Sequence, residues 1–176
     1  MNLPNDQLPS LIDPVLLGVM AKIARETPAG AFAEFGVYRG GSAKVLHDIA
    51  KEQDRRLFLY DTFTGMPFQD QIDQHRVGEF GDCSVEAIRK AMPGAVVIQG
   101  IFPESVVPMP PLAFVHVDCD QYRSVIAACD VFPQLIVKGG VMLFDDYRGV
   151  QGCIQAVNER YPDAVILDDG RAMVKF

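Results

Sequence analysis

The sequence contains no tryptophan, four cysteines and no long uninterrupted apolar segment. Because no two cysteines form a C-x-x-C pair, the sequence indicates neither a redox motif nor a zinc site, and we expect reduced, mostly buried thiols. No apolar run reaches the about 20 residues that a membrane-spanning helix needs. The N-terminus also lacks the basic and apolar regions of a signal peptide. These absences predict a cytoplasmic protein that does not enter a membrane.

Basic residues are also scarce relative to acidic ones. The chain has 16 lysines and arginines against 23 aspartates and glutamates, and its formal net charge is −7. This acidic balance argues against binding to nucleic acid or to an anionic membrane surface. With 176 residues, 49% of them hydrophobic, the chain is long enough for one domain with a sizeable core. We therefore expect residues 1–176 to form a single domain, in which residues 1–26 are an N-terminal arm and helix.

Apolar segments of strand length alternate with amphipathic segments of helix length. We expect helices at 11–25, 42–51, 82–92, 124–137 and 149–160, and strands at 31–35, 56–60, 95–98, 112–117 and 141–144. Gly139-Gly140 is expected to end the fourth helix, and the last residues predict an antiparallel hairpin around an Asp-Gly turn. This order predicts an α/β fold with a doubly wound, mostly parallel, seven-stranded Rossmann-like sheet and a C-terminal antiparallel hairpin.

The segment Ala31–Ser42, AFAEFGVYRGGS, has the pattern of a strand, an acid, a glycine-rich turn and a helix start. In α/β proteins such a turn brings the backbone close to a nucleotide-like ligand. The G-x-G-x-x-G dinucleotide pattern is incomplete because Tyr38 stands at the second glycine position, and no phosphate-binding G-K-[ST] loop occurs. Glu34 adds a negative charge that would repel a phosphate. The segment therefore favours a cationic or zwitterionic ligand.

Carboxylates also stand at the ends of later predicted strands, which border the ligand crevice of an open α/β sheet. Asp61 lies about 20 residues after the glycine-rich turn, the usual distance of an acid that accepts hydrogen bonds from ribose hydroxyls. Four further carboxylates would crowd together unless protons or a cation neutralised them: Asp118, Asp120, Asp145 and Asp146. They predict a Mg²⁺ site, with solvated turn acids and helix caps as the alternative.

Five motifs occur in order and at suitable spacing along the chain: EFGVYRGGS, YDTFTGMP, QGIFPES, VHVDCDQYRS and KGGVMLFDDYRGVQG. Together they closely resemble the macrocin O-methyltransferase family, class I methyltransferases that use S-adenosylmethionine. The resemblance extends from about residue 27 to residue 157. It implies an S-adenosylmethionine-dependent, Mg²⁺-assisted O-methyltransferase that acts on a hydroxyl of a small molecule, such as a sugar of a natural product.

The resemblance also implies roles for individual residues. The glycine-rich segment would hold the methionine part of the cofactor, whose ammonium group would explain the acid Glu34, and Asp61 would hold the ribose hydroxyls. The other residues implied in cofactor binding are Gly36, Tyr38, Gly40, Gly41, Ser42, Phe63, Gln99, Gly100, Phe102 and Asp118. The implied Mg²⁺ ligands are Asp118, Asp145 and Asp146, which also match the strand-end acids of catechol-type O-methyltransferases.

The motifs identify the general base of such a reaction less clearly than they identify the cofactor and metal residues. Catechol-type enzymes use a lysine three positions after the first acid, where this chain has Gln121. We expect Asp118 to take the hydroxyl proton, with Asp120 and His116 as the next candidates. His116 also fits a core histidine, and His75 fits either a solvated loop residue or a substrate contact.

Members of this family carry a longer N-terminal region and further insertions that cover the acceptor, whereas about thirty residues precede the glycine-rich segment here. The long predicted loop 61–81, or a partner subunit in a homodimer, would then do much of the covering, which favours a smaller or broader range of acceptors. Two alternatives to an O-methyltransferase remain. One is an NAD-type oxidoreductase, which Tyr38 and Glu34 disfavour, and the other is a non-catalytic S-adenosylmethionine-binding domain.

Overall fold

The alternating apolar segments form one sheet in the computed structural model, which describes residues 8–176. Its strands are β1 (Ala31–Phe35), β2 (Leu57–Asp61), β3 (Val96–Gln99), β4 (Leu112–Val117), β5 (Ile136–Phe144), β6 (Val165–Ile166) and β7 (Ala172–Lys175). They lie in the order β3-β2-β1-β4-β5-β7-β6. The first five strands pair in parallel, and β7 pairs antiparallel with β5 and β6. The predicted seven-stranded, mostly parallel sheet with a C-terminal antiparallel hairpin is therefore confirmed.

The helices are α1 (Pro14–Glu26), α2 (Gly41–Glu52), α3 (Val85–Ala91), α4 (Tyr122–Val131) and α5 (Gln151–Arg160). Side-chain caps set two of their starts, later than the predicted residues 11 and 82. Asp13 accepts a hydrogen bond from the backbone N–H of Val15 (2.8 Å) at the start of α1, and Ser84 accepts one from Ala87 N–H (3.2 Å) at the start of α3.

Two further expectations concern the N-terminus and membranes. Residues 1–7 of the predicted N-terminal arm lie outside the described residues. Among residues 8–176, none of the helices combines the length and the apolar character that crossing a bilayer demands.

The alternation of side chains along the central strands divides the core between the two faces of the sheet. In β1, Phe35 packs in the cluster that includes residues of α4 and α5, whereas Phe32 packs in the cluster that includes residues of α1, α2 and α3. Every residue of β1 and β4 is buried, and full burial of a large apolar side chain contributes about 1.5–3 kcal/mol. Packing on both faces therefore fixes the carboxyl ends of these strands, where ligands bind in this type of fold.

The fourth helix is shorter than predicted. The sequence predicts a helix over 124–137, but a 3₁₀ turn covers Phe132–Gln134 and β5 already begins at Ile136. Gly139 and Gly140 lie inside β5, where its pairing with β4 is irregular. Gly139 has a φ of +82°, and a Cβ on Gly140 would lie 3.0 Å from a carbonyl oxygen of β4. The two glycines therefore permit a bulge in a strand and do not end a helix.

Candidate active site

A cavity of about 210 Å³ opens at the carboxyl ends of β1, β2, β4 and β5. Its wall is formed by the glycine-rich segment, by strand-end aspartates, by residues 9–12, which precede α1, and by aromatic rings that include Phe80 and Phe102. The structure places the following predicted site residues on this wall: Gly36, Tyr38, Gly40, Gly41, Ser42, Asp61, Phe102, Asp118, Asp120, Asp145 and Asp146.

The glycine-rich segment needs glycine because other parts of the chain approach it closely. At Gly36, which has a φ of +94°, a Cβ would lie 1.7 Å from the carbonyl oxygen of Asp118. No larger residue fits there, where β1 and β4 end side by side. A Cβ on Gly41 would lie 2.3 Å from the Cβ of Ser10. The first contact joins the segment to the strand that leads to Asp118, and the second lets the residues before α1 lie over the start of α2.

Asp61 holds the glycine-rich segment in place. Its Oδ2 accepts hydrogen bonds from the backbone N–H groups of Val37 (2.7 Å) and Tyr38 (2.8 Å), and its Oδ1 accepts one from Phe63 N–H (2.7 Å). An ionised carboxylate offers about four lone-pair sites, so part of its capacity remains for a ligand. The spacing in the sequence predicts that Asp61 binds ribose hydroxyls, and the structure adds a supporting role that the spacing does not reveal.

Three carboxylates meet at one side of the cavity, where oxygens of Asp118, Asp145 and Asp146 all lie within 4.8 Å of one another. Asp120 donates its backbone N–H to Asp146 Oδ2 (2.8 Å), which joins the loops after β4 and β5. Burial raises the pKa of Asp118 and that of Asp146 well above the usual value, and neighbouring carboxylates add to the effect. The same two causes raise the pKa of Asp120 to about 7. This cluster therefore favours retained protons or a bound cation.

Asp145 differs from its neighbours because two buried cationic side chains contact it. Arg171 donates Nη1–H to Asp145 Oδ1 (3.2 Å), and His116 Nε2 lies 3.7 Å from the same oxygen, while its Nδ1 lies 2.8 Å from Glu34 Oε1. Burial alone would lower the pKa of His116, but the nearby Asp145 carboxylate and the hydrogen bond to Glu34 outweigh it and raise this pKa to about 10. Burial acts to raise the pKa of Asp145, but His116 and Arg171 outweigh it and lower that pKa. The charge of Asp145 is thus balanced within the protein.

Several predicted site residues do not reach the cavity wall. Glu34 and His116 are fully buried and contact each other, because the register pairs them on adjacent strands. Glu34 therefore presents its charge to His116, and its charge no longer supports the prediction of a cationic ligand. Phe63 is buried. Gln99 is exposed, donates its amide to a loop carbonyl (3.3 Å) and precedes Gly100, which also lies off the wall.

Two contributions to the site are absent from the sequence-based prediction. Residues 9–12 line the cavity, and Gly41, the first residue of α2, leaves space for Ser10. Arg171, which precedes β7, reaches Asp145 and also binds the Asp169 carboxylate (2.7 Å) and the Leu16 carbonyl of α1 (3.1 Å). The signal for it in the sequence, an arginine at the start of the last strand, is equally typical of a solvated residue.

The same fold occurs in solved methyltransferase structures. The O-methyltransferase NovP aligns with a TM-score of 0.83 at 21% identity, over 94% of this chain and 81% of NovP. The calicheamicin methyltransferase CalS11 aligns with a TM-score of 0.75 at 18% identity, over 92% of this chain and 77% of CalS11. SAH-bound PaMTH1, a methyltransferase of Podospora anserina, aligns with a TM-score of 0.66 at 15% identity, over 94% of this chain and 80% of PaMTH1. At these identities the likeness establishes a methyltransferase fold.

The family follows from the sequence. A model of the macrocin O-methyltransferase (TylF) family matches residues 15–169. Because this match covers most of the chain, the protein belongs to the macrocin O-methyltransferase family, as its five motifs predicted, and is an enzyme of the O-methyltransferase class. No protein of curated function matches the sequence. The family decides against the alternative of an NAD-type oxidoreductase.

Proposed function

We propose that this protein transfers a methyl group from S-adenosylmethionine to a hydroxyl group of a small molecule, with Mg²⁺ held by Asp118, Asp145 and Asp146. One observation carries the proposal: the three carboxylates converge on the cavity that the glycine-rich segment also lines. A methyl donor and a hydroxyl acceptor can therefore be held side by side, as the family's reaction requires.

The cavity wall offers partners for S-adenosylmethionine. Glycines at positions 36, 40 and 41 lie on the cavity wall, together with Asp61 and the ring of Phe102. When bound, the cofactor supplies an electrophilic methyl group on sulfur. Residues 9–12 cover part of the cavity and would exclude water from this group. The SAH-bound neighbour PaMTH1 supports a cofactor of this kind.

The aspartate cluster offers the oxygen ligands that Mg²⁺ prefers. Within this cluster, the protein does not balance the negative charges of Asp118 and Asp146, and a divalent cation would compensate them. When bound, the ion supplies positive charge that favours ionisation of the acceptor hydroxyl. Arg171 and His116 keep Asp145 ionised and oriented for this purpose.

The contacts of the predicted proton acceptors support a different order among them. His116 is enclosed between Glu34 and Asp145, so it acts as a positioning residue for Asp145. Asp118, the first candidate, belongs to the group of three carboxylates that would face the ion. Asp120 also lines the cavity, but its side chain faces the loop between β2 and α3. The acceptor side of the site is therefore formed by Asp120 and this loop.

A sugar hydroxyl is the acceptor class that we propose. CalS11, in its apo form, is named a TDP-rhamnose 3′-O-methyltransferase and aligns with a TM-score of 0.63 at 18% identity, over 92% of this chain and 78% of that chain. Vicinal hydroxyls of a sugar suit a site that combines carboxylates with a hard cation, because such an ion binds oxygen ligands.

Calorimetric titration and a methyl-transfer assay test the proposal. The wild-type protein should bind S-adenosylmethionine and Mg²⁺, and Asp118→Asn should bind Mg²⁺ at least about 10-fold more weakly. Asp130→Asn, at an exposed acid paired with Arg160, is the matched control. Transfer would be followed as S-adenosylhomocysteine release with TDP-rhamnose and a panel of vicinal diols. Cofactor binding without transfer to any acceptor would favour the non-catalytic binding domain, and binding of NAD in place of S-adenosylmethionine would contradict the proposal.

A further inference from the structure

The loop between β2 and α3 is fastened to the two helices that follow β4 and β5. Asp73 Oδ1 accepts a hydrogen bond from the backbone N–H of Tyr122 (2.9 Å), the first residue of α4. Gln74 Oε1 accepts one from the N–H of Gln151 (3.2 Å), the first residue of α5. Neither helix is capped by its own N-cap side chain. The loop therefore supplies caps that both helices lack.

A second set of contacts holds the same loop at its N-terminal half. Phe68 donates its backbone N–H to Gln121 Oε1 (3.2 Å), and the Gln121 side-chain amide donates back to the Phe68 carbonyl. A Cβ on Gly152 would lie 2.7 Å from Asp73 Oδ1, so glycine at this position lets the loop approach α5. These contacts fix the loop beside the strand ends that carry the carboxylates.

His75, directly after the two capping residues, is held on three sides. Its Nδ1 lies 2.9 Å from Glu79 Oε2, its ring packs edge-on against Phe80 with centroids 4.9 Å apart, and its Nε2 lies 3.5 Å from Asp120 Oδ1. The side chain is 28% exposed. Because an ionised carboxylate only accepts hydrogen bonds, the Glu79 contact places the proton of a neutral ring on Nδ1 and leaves the lone pair on Nε2.

His75 also lines an open cleft that borders the aspartate cluster. The cleft is formed by Gln74, His75, Asp146, Arg148, Gly149 and Val150. Asp146 and Arg148 line both this cleft and the cavity beside the glycine-rich segment. A molecule bound in the cleft would therefore reach the carboxylates from the side of His75, while a molecule in the cavity would reach them from the side of the glycine-rich segment.

We propose that this cleft is the acceptor subsite and that His75 is the catalytic base, which takes the acceptor's hydroxyl proton on Nε2. The inference rests on the proposed function. As the oxygen forms its bond to the methyl carbon, its proton moves to Nε2, and the electron pair of the broken carbon–sulfur bond stays on sulfur. The resulting imidazolium lies between the carboxylates of Glu79 and Asp120, which stabilise its charge. Its partial exposure lets the proton leave to solvent.

His75 suits this role better than the carboxylates of the cluster. Asp118 and Asp146 are candidate ligands of the cation, and a ligand that gains a proton loses affinity for the ion. A neutral imidazole beside the cluster receives the proton without this competition. Glu79 then acts as a positioning residue that sets the tautomer of His75.

Steady-state methyl transfer to TDP-rhamnose, or to the diol of the panel that the wild type methylates, tests the role of His75. We expect His75→Gln to lower kcat by about 10²–10⁴-fold, with unchanged affinity for S-adenosylmethionine and an unchanged melting temperature. Val77→Thr, at an exposed position in the same loop, should keep the wild-type rate. Added imidazole should restore activity to His75→Ala but not to Asp118→Asn. A wild-type kcat in His75→Gln would overturn the role.

Side-chain ¹⁵N NMR of the cofactor-free protein gives a readout that does not depend on activity. The Nδ1–H tautomer of His75 should dominate in the wild type, and Glu79→Ala should remove this preference. A dominant Nε2–H tautomer in the wild type would overturn the proposed base. A wild-type protein that does not bind S-adenosylmethionine would overturn the proposed function itself, whereas an active wild type with an equally active His75→Gln would overturn only the role of His75.

Discussion

The two halves of the aspartate cluster differ in how their charge is compensated. In one, the alternating half, acidic and cationic side chains follow one another through close contacts: Glu34, His116, Asp145, Arg171 and Asp169. In the other, the acidic half, the side chains are all carboxylates: Asp118, Asp120 and Asp146. Among residues 8–176, no lysine or arginine lies within 4.0 Å of these three carboxylates. The protein therefore balances one half itself and leaves the other to protons or a bound cation.

The two halves therefore have different roles: the alternating half stabilises the site, and the acidic half provides affinity for a cation. The alternating half ties β1, β4, β5 and the start of β7 together and keeps one carboxylate ionised without any ligand. The acidic half opposes folding when it is ionised, and this unfavourable free energy is released when a cation binds. A site built in this way has one ligand preorganised by the fold and others whose repulsion strengthens cation binding.

Removal of Arg171 should have the largest effect on the alternating half. Arg171→Met leaves Asp145 buried without its closest cationic partner, and breaking a buried pair in this way costs about 3–5 kcal/mol. The free energy of unfolding in urea, measured at neutral pH with EDTA, checks this. Arg160→Met, which removes an exposed ion pair with Asp130, is the matched control and should cost far less. Equal losses in the two variants would contradict the balance that we assign to this half.

Removal of a charge from the acidic half should have the opposite effect on the metal-free protein. Asp146→Asn keeps an oxygen that can accept the hydrogen bond from Asp120 N–H but relieves repulsion, so its melting temperature in EDTA should rise above that of the wild type. Its affinity for Mg²⁺ should fall by about 10–100-fold in calorimetric titration. A lower melting temperature in EDTA would show that this half is not repulsive.

The grouping of the carboxylates was predictable from the sequence, but their division into halves was not. Asp118, Asp145 and Asp146 could be grouped because parallel strands end at one edge of a sheet. The balance of Asp145 depends on the register that sets Glu34 opposite His116. A strand buried on both faces has apolar residues at nearly every position, so its sequence pattern leaves the register open.

The fold was predicted more completely than the site. The order of strands and helices follows from apolar periodicity and from short connections between elements. Almost the whole chain shows both features. The prediction was wrong at Gly139-Gly140, because paired glycines are typical both of helix ends and of bulges in strands. The positions of residues 9–12 and of the loop that carries His75 depend on long-range contacts, which have no local signal in the sequence.

The metal-free protein should lose stability as the pH rises from about 4 to about 7. The carboxyl of Asp120 has an ordinary pKa of 3.8, and the fold raises this pKa to about 7. The protonated carboxyl therefore favours the folded state, fully below pH 3.8 and progressively less as the pH rises through 7. Asp118 and Asp146, whose pKa values are raised in the same direction, add to this loss.

The melting temperature measured in EDTA and in saturating Mg²⁺ across this range checks the prediction. Mg²⁺ should flatten the profile, because the ion replaces the protons as the compensating charge. The contribution of His116 interferes little in this range, since it is fully present below the ordinary pKa of 6.5 and is lost as the pH rises from there through about 10. Profiles of equal slope with and without Mg²⁺ would contradict a cation site in the acidic half.

Substitution of Arg148 should have the smallest effect on stability. This residue is the closest comparison with Arg171, because it also faces Asp145 but from an exposed position. Its Nε lies 4.0 Å from Asp145 Oδ2, and 43% of its side chain is exposed. An exposed pair of this kind contributes at most about 1 kcal/mol, so Arg148→Gln should change the free energy of unfolding in urea by no more than this. A loss of stability close to that of Arg171→Met would mean that the exposed Arg148, and not the buried Arg171, balances the charge of Asp145. The buried chain of alternating charges would then not be what holds this carboxylate ready for a ligand.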